Sequence, residues 1–89
     1  MPQSKAEIVN RLGLHARASA KLTKLAGSFP CEVWMSNGER RINAKSIMGV
    51  MMLAAAKGTT VLVETEGSDA DAALAAVLEL IAERFGEPE

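Results

Sequence analysis

The sequence is poor in the residues that carry most binding chemistry. Among its 89 residues are one cysteine, one histidine, one tryptophan, two phenylalanines and no tyrosine. A lone Cys31 excludes an internal disulfide and reads as a small buried hydrophobe, and with a single histidine there is no ligand set for zinc. No metal and no cofactor are expected. Ten basic residues against eleven acidic ones leave a formal net charge of −1. Such a balance gives no global attraction to nucleic acid or to an anionic membrane. No apolar run approaches the roughly 20 residues of a membrane span, and Met1-Pro2-Gln3-Ser4-Lys5 lacks the basic-then-apolar order of a signal peptide. The expectation is a cytoplasmic protein without nucleic-acid or membrane partners, forming a single domain over residues 1–89. With aromatics so scarce, its core must be built from Ala, Val, Leu, Ile and Met.

What is present is periodicity that changes character along the chain. Ala6-Glu7-Ile8-Val9 alternates, so a first strand is expected from about Lys5 to Asn10. Ala18, Leu22, Leu25 and Ala26 recur at helical spacing, predicting a helix from about Ala16 to Ala26 that ends at Gly27 in left-handed backbone. Phe29 is expected to plug the core. Cys31 to Met35 alternates, Asn37-Gly38 signals a hairpin, and Arg40 to Asn43 returns. Ser46 can cap a short helix from Ile47 to about Ala54. Beyond Lys57-Gly58, a strand from Thr59 to Glu66 should turn Val61, Val63 and Thr65 inward. A final helix should bury Ala73, Leu74, Val77, Leu80 and Ile81 before a tail, Gly86-Glu87-Pro88-Glu89.

The order is βαββαβα. It predicts an α+β fold, an open-faced β-sandwich in which a four-stranded antiparallel sheet carries three helices packed on one face. The other face, with Glu32, Trp34, Thr60 and Glu64, should meet water. Trp34 reads as cross-strand packing and not as a stacking platform, because no second aromatic accompanies it.

Gly13-Leu14-His15-Ala16-Arg17 lies where the strand pattern gives way to the helix pattern. The first turn of a helix has backbone N–H groups without intrahelical partners, and the positive end of its dipole favours an anion. Neutral imidazole is a good nucleophile and, once protonated, a good leaving group, as a phosphoryl carrier requires. Arg17 can add a bidentate contact that Lys could not match. No acid, metal set or second nucleophile lies nearby in sequence, so transfer fits better than hydrolysis. Spacing alone leaves open that His15 is only a turn residue. Arg17, Lys21 and Lys24 share one helix face and make a basic stripe suited to an acidic protein partner.

Ile47-Met48-Gly49-Val50-Met51-Met52-Leu53 is apolar nearly all round, yet a short helix can bury only one side. If Val50 and Leu53, with or without Ile47, face the core, then Met48, Met51 and Met52 form an exposed, flexible strip of the kind used for docking. A well-covered helix is the alternative. A phosphoryl group on Ser46 would be tolerated at the helix N-terminus, but it would set negative charge beside a surface meant for an acidic partner.

Together, Asn10-Arg11-Leu12-Gly13-Leu14-His15-Ala16-Arg17 and Asn43-Ala44-Lys45-Ser46-Ile47-Met48-Gly49-Val50 resemble the HPr family, the histidine-containing phosphocarriers of the bacterial phosphoenolpyruvate-dependent sugar phosphotransferase system. The resemblance runs over essentially the whole chain. It implies a stoichiometric carrier, not a stand-alone catalyst. His15 would accept phosphate on Nδ1 from phospho-enzyme I and pass it to enzyme IIA domains. Arg17 would match the active-site arginine, and Ser46 the regulatory serine of HPr kinase/phosphorylase. Met48 and Met51 match docking positions, and the expected docking face is Ala16, Ala20, Lys21 and Lys24 from the first helix with Ile47, Met48, Met51 and Met52 from the second. A monomer is expected. The family usually has proline after the arginine where this chain has Ala18, which should leave the loop freer. Three alternatives stay open: a nitrogen-branch (NPr-type) carrier, a purely regulatory module acting through Ser46, and a small acylphosphatase-like hydrolase.

Overall fold

The computed structural model describes residues 1–89. Four strands and three helices follow one another as β1 (Gln3–Glu7), α1 (Ala16–Gly27), β2 (Glu32–Asn37), β3 (Arg40–Asn43), α2 (Ile47–Leu53), β4 (Thr60–Glu66) and α3 (Ala70–Ala82), with a 3-10 turn at Arg84–Gly86. The sheet order is β1-β4-β2-β3, and every neighbouring pair is antiparallel. Both the βαββαβα order and the four-stranded antiparallel sheet with three helices are as expected.

Period-two patterning explains why only one face of the sheet carries helices. Val61, Val63 and Thr65 of β4 are buried, as are Val33 and Met35 of β2, while their alternate neighbours are not. One continuous core joins these side chains to Leu22 of α1, Val50 of α2, and Val77 and Ile81 of α3. Thr65 is tolerated there because its hydroxyl donates to the carbonyl of Ala70 at 2.7 Å, so that its own buried polar atom is paired. On the open face Trp34 is half-buried. The Arg41 guanidinium lies 4.4 Å from its ring centroid, and Arg41 also reaches Glu64 at 3.3 Å. Trp34 thus packs within the chain, as its isolation suggested.

Several boundaries differ from expectation for local reasons. β1 runs Gln3–Glu7, not Lys5 to Asn10. Its parity is right, but Asn10 is fully buried and its side chain donates to Gly13 O at 2.8 Å, bending the chain out of the sheet. β2 begins at Glu32 and extends to Asn37, where a two-residue connection, Gly38-Glu39, joins the paired Asn37 and Arg40. Gly27 closes α1 in ordinary helical backbone, not left-handed. The residue after it, Ser28, is also right-handed, and its hydroxyl donates to the Leu25 carbonyl at 2.6 Å. A polar side chain therefore satisfies the helix end where a glycine was expected to reverse it. Phe29 is only partly buried; the phenyl ring that fills the core is Phe85.

Candidate functional site

The loop before α1 is held from below. Gly13 has φ +65, and a Cβ there would sit 2.6 Å from the Ala55 carbonyl oxygen and 2.9 Å from Ala56 Cα. Leu14 N–H donates to the same Ala55 carbonyl at 2.9 Å. The loop thus rests on the segment that leaves α2, which brings the two sequence constellations side by side.

On this support His15 takes the N-cap position of α1 in extended backbone, with no side-chain cap and no acid in the first turn. Its carbonyl accepts from Ser19 N–H at 2.8 Å. The first-turn amides are left without intrahelical partners, and the helix end favours an anion. The imidazole is half-buried, with Nε2 on Oε2 of Glu87. Nδ1 has no hydrogen-bond partner. Arg17 is exposed and makes no ion pair or hydrogen bond, so its guanidinium is free for a ligand. An open cleft of about 470 Å³ lies against His15, Arg17, Arg11 and Glu87.

No acid lies near His15 in sequence, but the fold brings Glu87, 72 residues away, to its ring. Glu87 comes from the segment read as a plain tail. In α3, Ala73, Val77 and Ile81 are buried at every fourth position, and Phe85 continues that spacing through a tight turn. Arg84 and Phe85 have φ 59 and 55, a conformation that costs a non-glycine residue on the order of 1–3 kcal/mol. Complete burial of the Phe85 ring is worth about 1.5–3 kcal/mol, and Lys21 Nζ donates to the Phe85 carbonyl at 2.7 Å. These contacts offset the strain, and the reversal returns Glu87 to the loop. Its Oε1 accepts from Asn10 Nδ2 at 3.0 Å. Beyond it Glu89 pairs with Arg11 at 3.3 Å.

Burial pushes the Glu87 carboxyl up, but hydrogen bonds from Asn10 and His15, together with the nearby charges of His15 and Lys21, outweigh it and hold the group below its ordinary value of 4.5. A carboxyl lowered by folding contributes stability above its unfolded value and loses it as pH falls through the folded value. The stability gap between the protein and its Glu87→Gln variant should therefore be about 1 kcal/mol at neutral pH and close as pH falls below 4.5. Thermal melts across that range measure it.

The remaining expected site residues divide in two. Ala16, Ala20, Lys21 and Lys24 are exposed on α1, although Lys21 is engaged with Phe85 and not wholly free. On α2, Val50 and Leu53 face the core while Ile47, Met48, Met51 and Met52 are 42%, 66%, 42% and 60% exposed. Leu12, at 56%, is a further exposed apolar side chain, on the cleft at His15, and was missed. Ser46 is exposed and caps α2, its hydroxyl accepting from Gly49 N–H at 3.1 Å. Asn10 and Glu87 were also missed. The signal that could have found Glu87 was the fourth-residue spacing of Phe85 after Ile81, which carries the core stripe past the helix.

The family described as "PTS HPr component phosphorylation site" matches residues 2–83. "Phosphocarrier protein HPr" of Cupriavidus necator is 61% identical over 89 residues, covering 100% of both chains. "Phosphocarrier protein NPr" of Shewanella violacea is 44% identical over 80 residues, covering 90% of this chain and 88% of its own. Among solved structures, that of HPr-C-His from Thermoanaerobacter tengcongensis superimposes with a TM-score of 0.96 at 38% identity, covering 100% of each chain.

Proposed function

The chain belongs to the HPr family of phosphotransferase-system phosphocarriers, carriers and not catalysts, and from that premise we propose that it takes a phosphoryl group from phospho-enzyme I onto Nδ1 of His15 and passes it to enzyme IIA domains. The observation that carries this reading is the partner-free Nδ1 of a half-buried His15 at the start of α1, with Arg17 unpaired beside it. The Nδ1 lone pair attacks phosphorus as the donor's bond breaks. Phosphoryl oxygens then meet the first-turn amides and the Arg17 guanidinium, which can contact them bidentately. Only protein donors and acceptors are needed. The hydrolase alternative falls away with the family, whose curated relatives are named phosphocarriers.

Docking falls to the exposed apolar strip of α2, flanked by the cations of α1. Flexible methionines suit a surface that must fit several partners in turn. The protein works in the cytoplasm as a monomer, which keeps His15 reachable. Ser46 with Ile47-Met48-Gly49-Val50 favours the sugar branch over the nitrogen branch. The test is a chase: carrier labelled from phosphoenolpyruvate and enzyme I should lose its label to a sugar-type IIA domain faster than to a nitrogen-type one. The reverse order assigns it to the nitrogen branch.

Regulation at Ser46 by HPr kinase/phosphorylase acts on docking and not on folding. A negative group at the start of α2 is compatible with the helix end, yet it stands among Ile47, Met48 and Met51, where an acidic partner must approach. Ser46→Asp should weaken enzyme I binding about tenfold, or ~1.4 kcal/mol, and shift stability by less than about 1 kcal/mol. Titration calorimetry and thermal melts check the two halves.

A further inference from the structure

We propose that Glu87 is a positioning residue for phosphoryl transfer: by accepting a hydrogen bond from Nε2–H of His15 it leaves Nδ1 as the nucleophile and keeps the phosphorylated ring protonated, so that phospho-His15 remains a ready donor. The inference rests on the carrier function above.

The carboxylate is fixed from both sides. One oxygen receives Asn10 Nδ2 at 3.0 Å from a fully buried asparagine, and the other receives His15 Nε2. The backbone behind it is tied by Gly86 N–H to the Glu83 carbonyl at 3.0 Å, Glu87 N–H to the Arg84 carbonyl at 2.9 Å, and Arg11 N–H to the Glu89 carbonyl at 2.9 Å. With its side chain only 12% exposed, Glu87 is a held acceptor and not a passing surface charge. The phosphoryl group and the carboxylate use different ring nitrogens, so both fit the ring together.

The transfer then balances without a free proton. The Nδ1 lone pair forms the N–P bond, the donor's bond to phosphorus breaks with its electron pair leaving on the donor, and the proton stays on Nε2. The ring is now cationic, and Glu87 faces that charge. On transfer onward the N–P pair returns to Nδ1 and neutral imidazole departs. Without Glu87 the ring sheds the Nε2 proton to water more readily, and the leaving group would be the far poorer imidazolide anion. A carboxylate that orients a histidine and stabilises its imidazolium does the same job in hydrolytic triads.

Other charges around the ring do not replace it. Arg17 and Lys21 of α1 are cations and oppose an imidazolium, Arg11 is engaged with Glu89, and Asn10 is neutral. Glu87 is held below its ordinary value and is charged at neutral pH.

The test uses the full chain as wild type, Glu87→Gln and Glu87→Ala, each phosphorylated with phosphoenolpyruvate and enzyme I. The titration midpoint of phospho-His15 is followed by phosphorus and nitrogen NMR. Gln keeps an oxygen for Nε2–H but no charge, and Ala keeps neither. Both variants should titrate at least about one pH unit lower than wild type and, above their midpoints, transfer to a IIA domain about tenfold more slowly. Midpoints within about 0.3 unit of wild type overturn the proposal, even where the variants melt earlier, because an anchor of purely structural value would move stability alone. If wild type itself takes up no phosphoryl group, it is the carrier reading that fails.

Discussion

His15→Ala yields a protein that folds as before and accepts no phosphoryl group from phosphoenolpyruvate through enzyme I. Acceptance should fall below detection, by more than about a thousandfold, because removal of a nucleophile leaves nothing to form the covalent bond. Stability should change little. The imidazole provides no helix cap, and its only side-chain hydrogen bond is to Glu87, whose other oxygen keeps Asn10. One lost, partly exposed bond is worth about 1 kcal/mol. Intact-mass analysis after incubation with the donor system, beside a thermal melt, separates lost chemistry from lost fold. A residual adduct in the variant would move the acceptor elsewhere in the chain.

Gly13→Ala should be the most damaging small substitution. At φ +65 an L side chain is strained, on the order of 1 kcal/mol or more. The added Cβ would also stand 2.6 Å from the Ala55 oxygen and 2.9 Å from Ala56 Cα, and both neighbours are backbone that cannot rotate away. Relief requires shifting the loop, which disturbs the Leu14 to Ala55 hydrogen bond and the Asn10 to Gly13 bond. The combined loss is about 2–4 kcal/mol, and phosphoryl acceptance falls at least about tenfold as His15 leaves its place. Gly27→Ala is the matched control: nothing lies within 4 Å of its Cβ position, and its backbone is helical, so it should be neutral or stabilise by up to about 1 kcal/mol. Denaturant unfolding of the two variants measures the contrast.

Local periodicity carried the readable part of the fold. Alternation assigned the inward face of β4 correctly through Val61, Val63 and Thr65, and the apolar excess of α2 foretold an exposed Met48, Met51 and Met52 over a buried Val50 and Leu53. The change of period around Gly13 marked His15. What escaped depended on contacts between distant segments. Glu87 lies 72 residues from the histidine it touches, and nothing in Gly86-Glu87-Pro88-Glu89 announces a reversal. That reversal runs through two non-glycine residues, Arg84 and Phe85, in left-handed backbone, a conformation their side chains disfavour and that tertiary contacts sustain, the burial of Phe85 and the Lys21 hydrogen bond to its carbonyl. Asn10 misled in the same manner, reading as the end of a strand while its buried side chain in fact ties the loop to Glu87. Ala18 is fully buried in a helix that starts at Ala16 without the family's usual proline, and we propose that this substitution alters transfer rate and not the site itself.

The central claim is that His15 is the phosphoryl acceptor. Its most direct test is intact-mass analysis of the protein after phosphoenolpyruvate and enzyme I, paired with phosphorus NMR to locate the bond. The account predicts one added phosphoryl group per chain, acid-labile and base-stable, on Nδ1 of His15 and absent from His15→Ala. No adduct on the wild-type protein, or one that survives in His15→Ala, would contradict it.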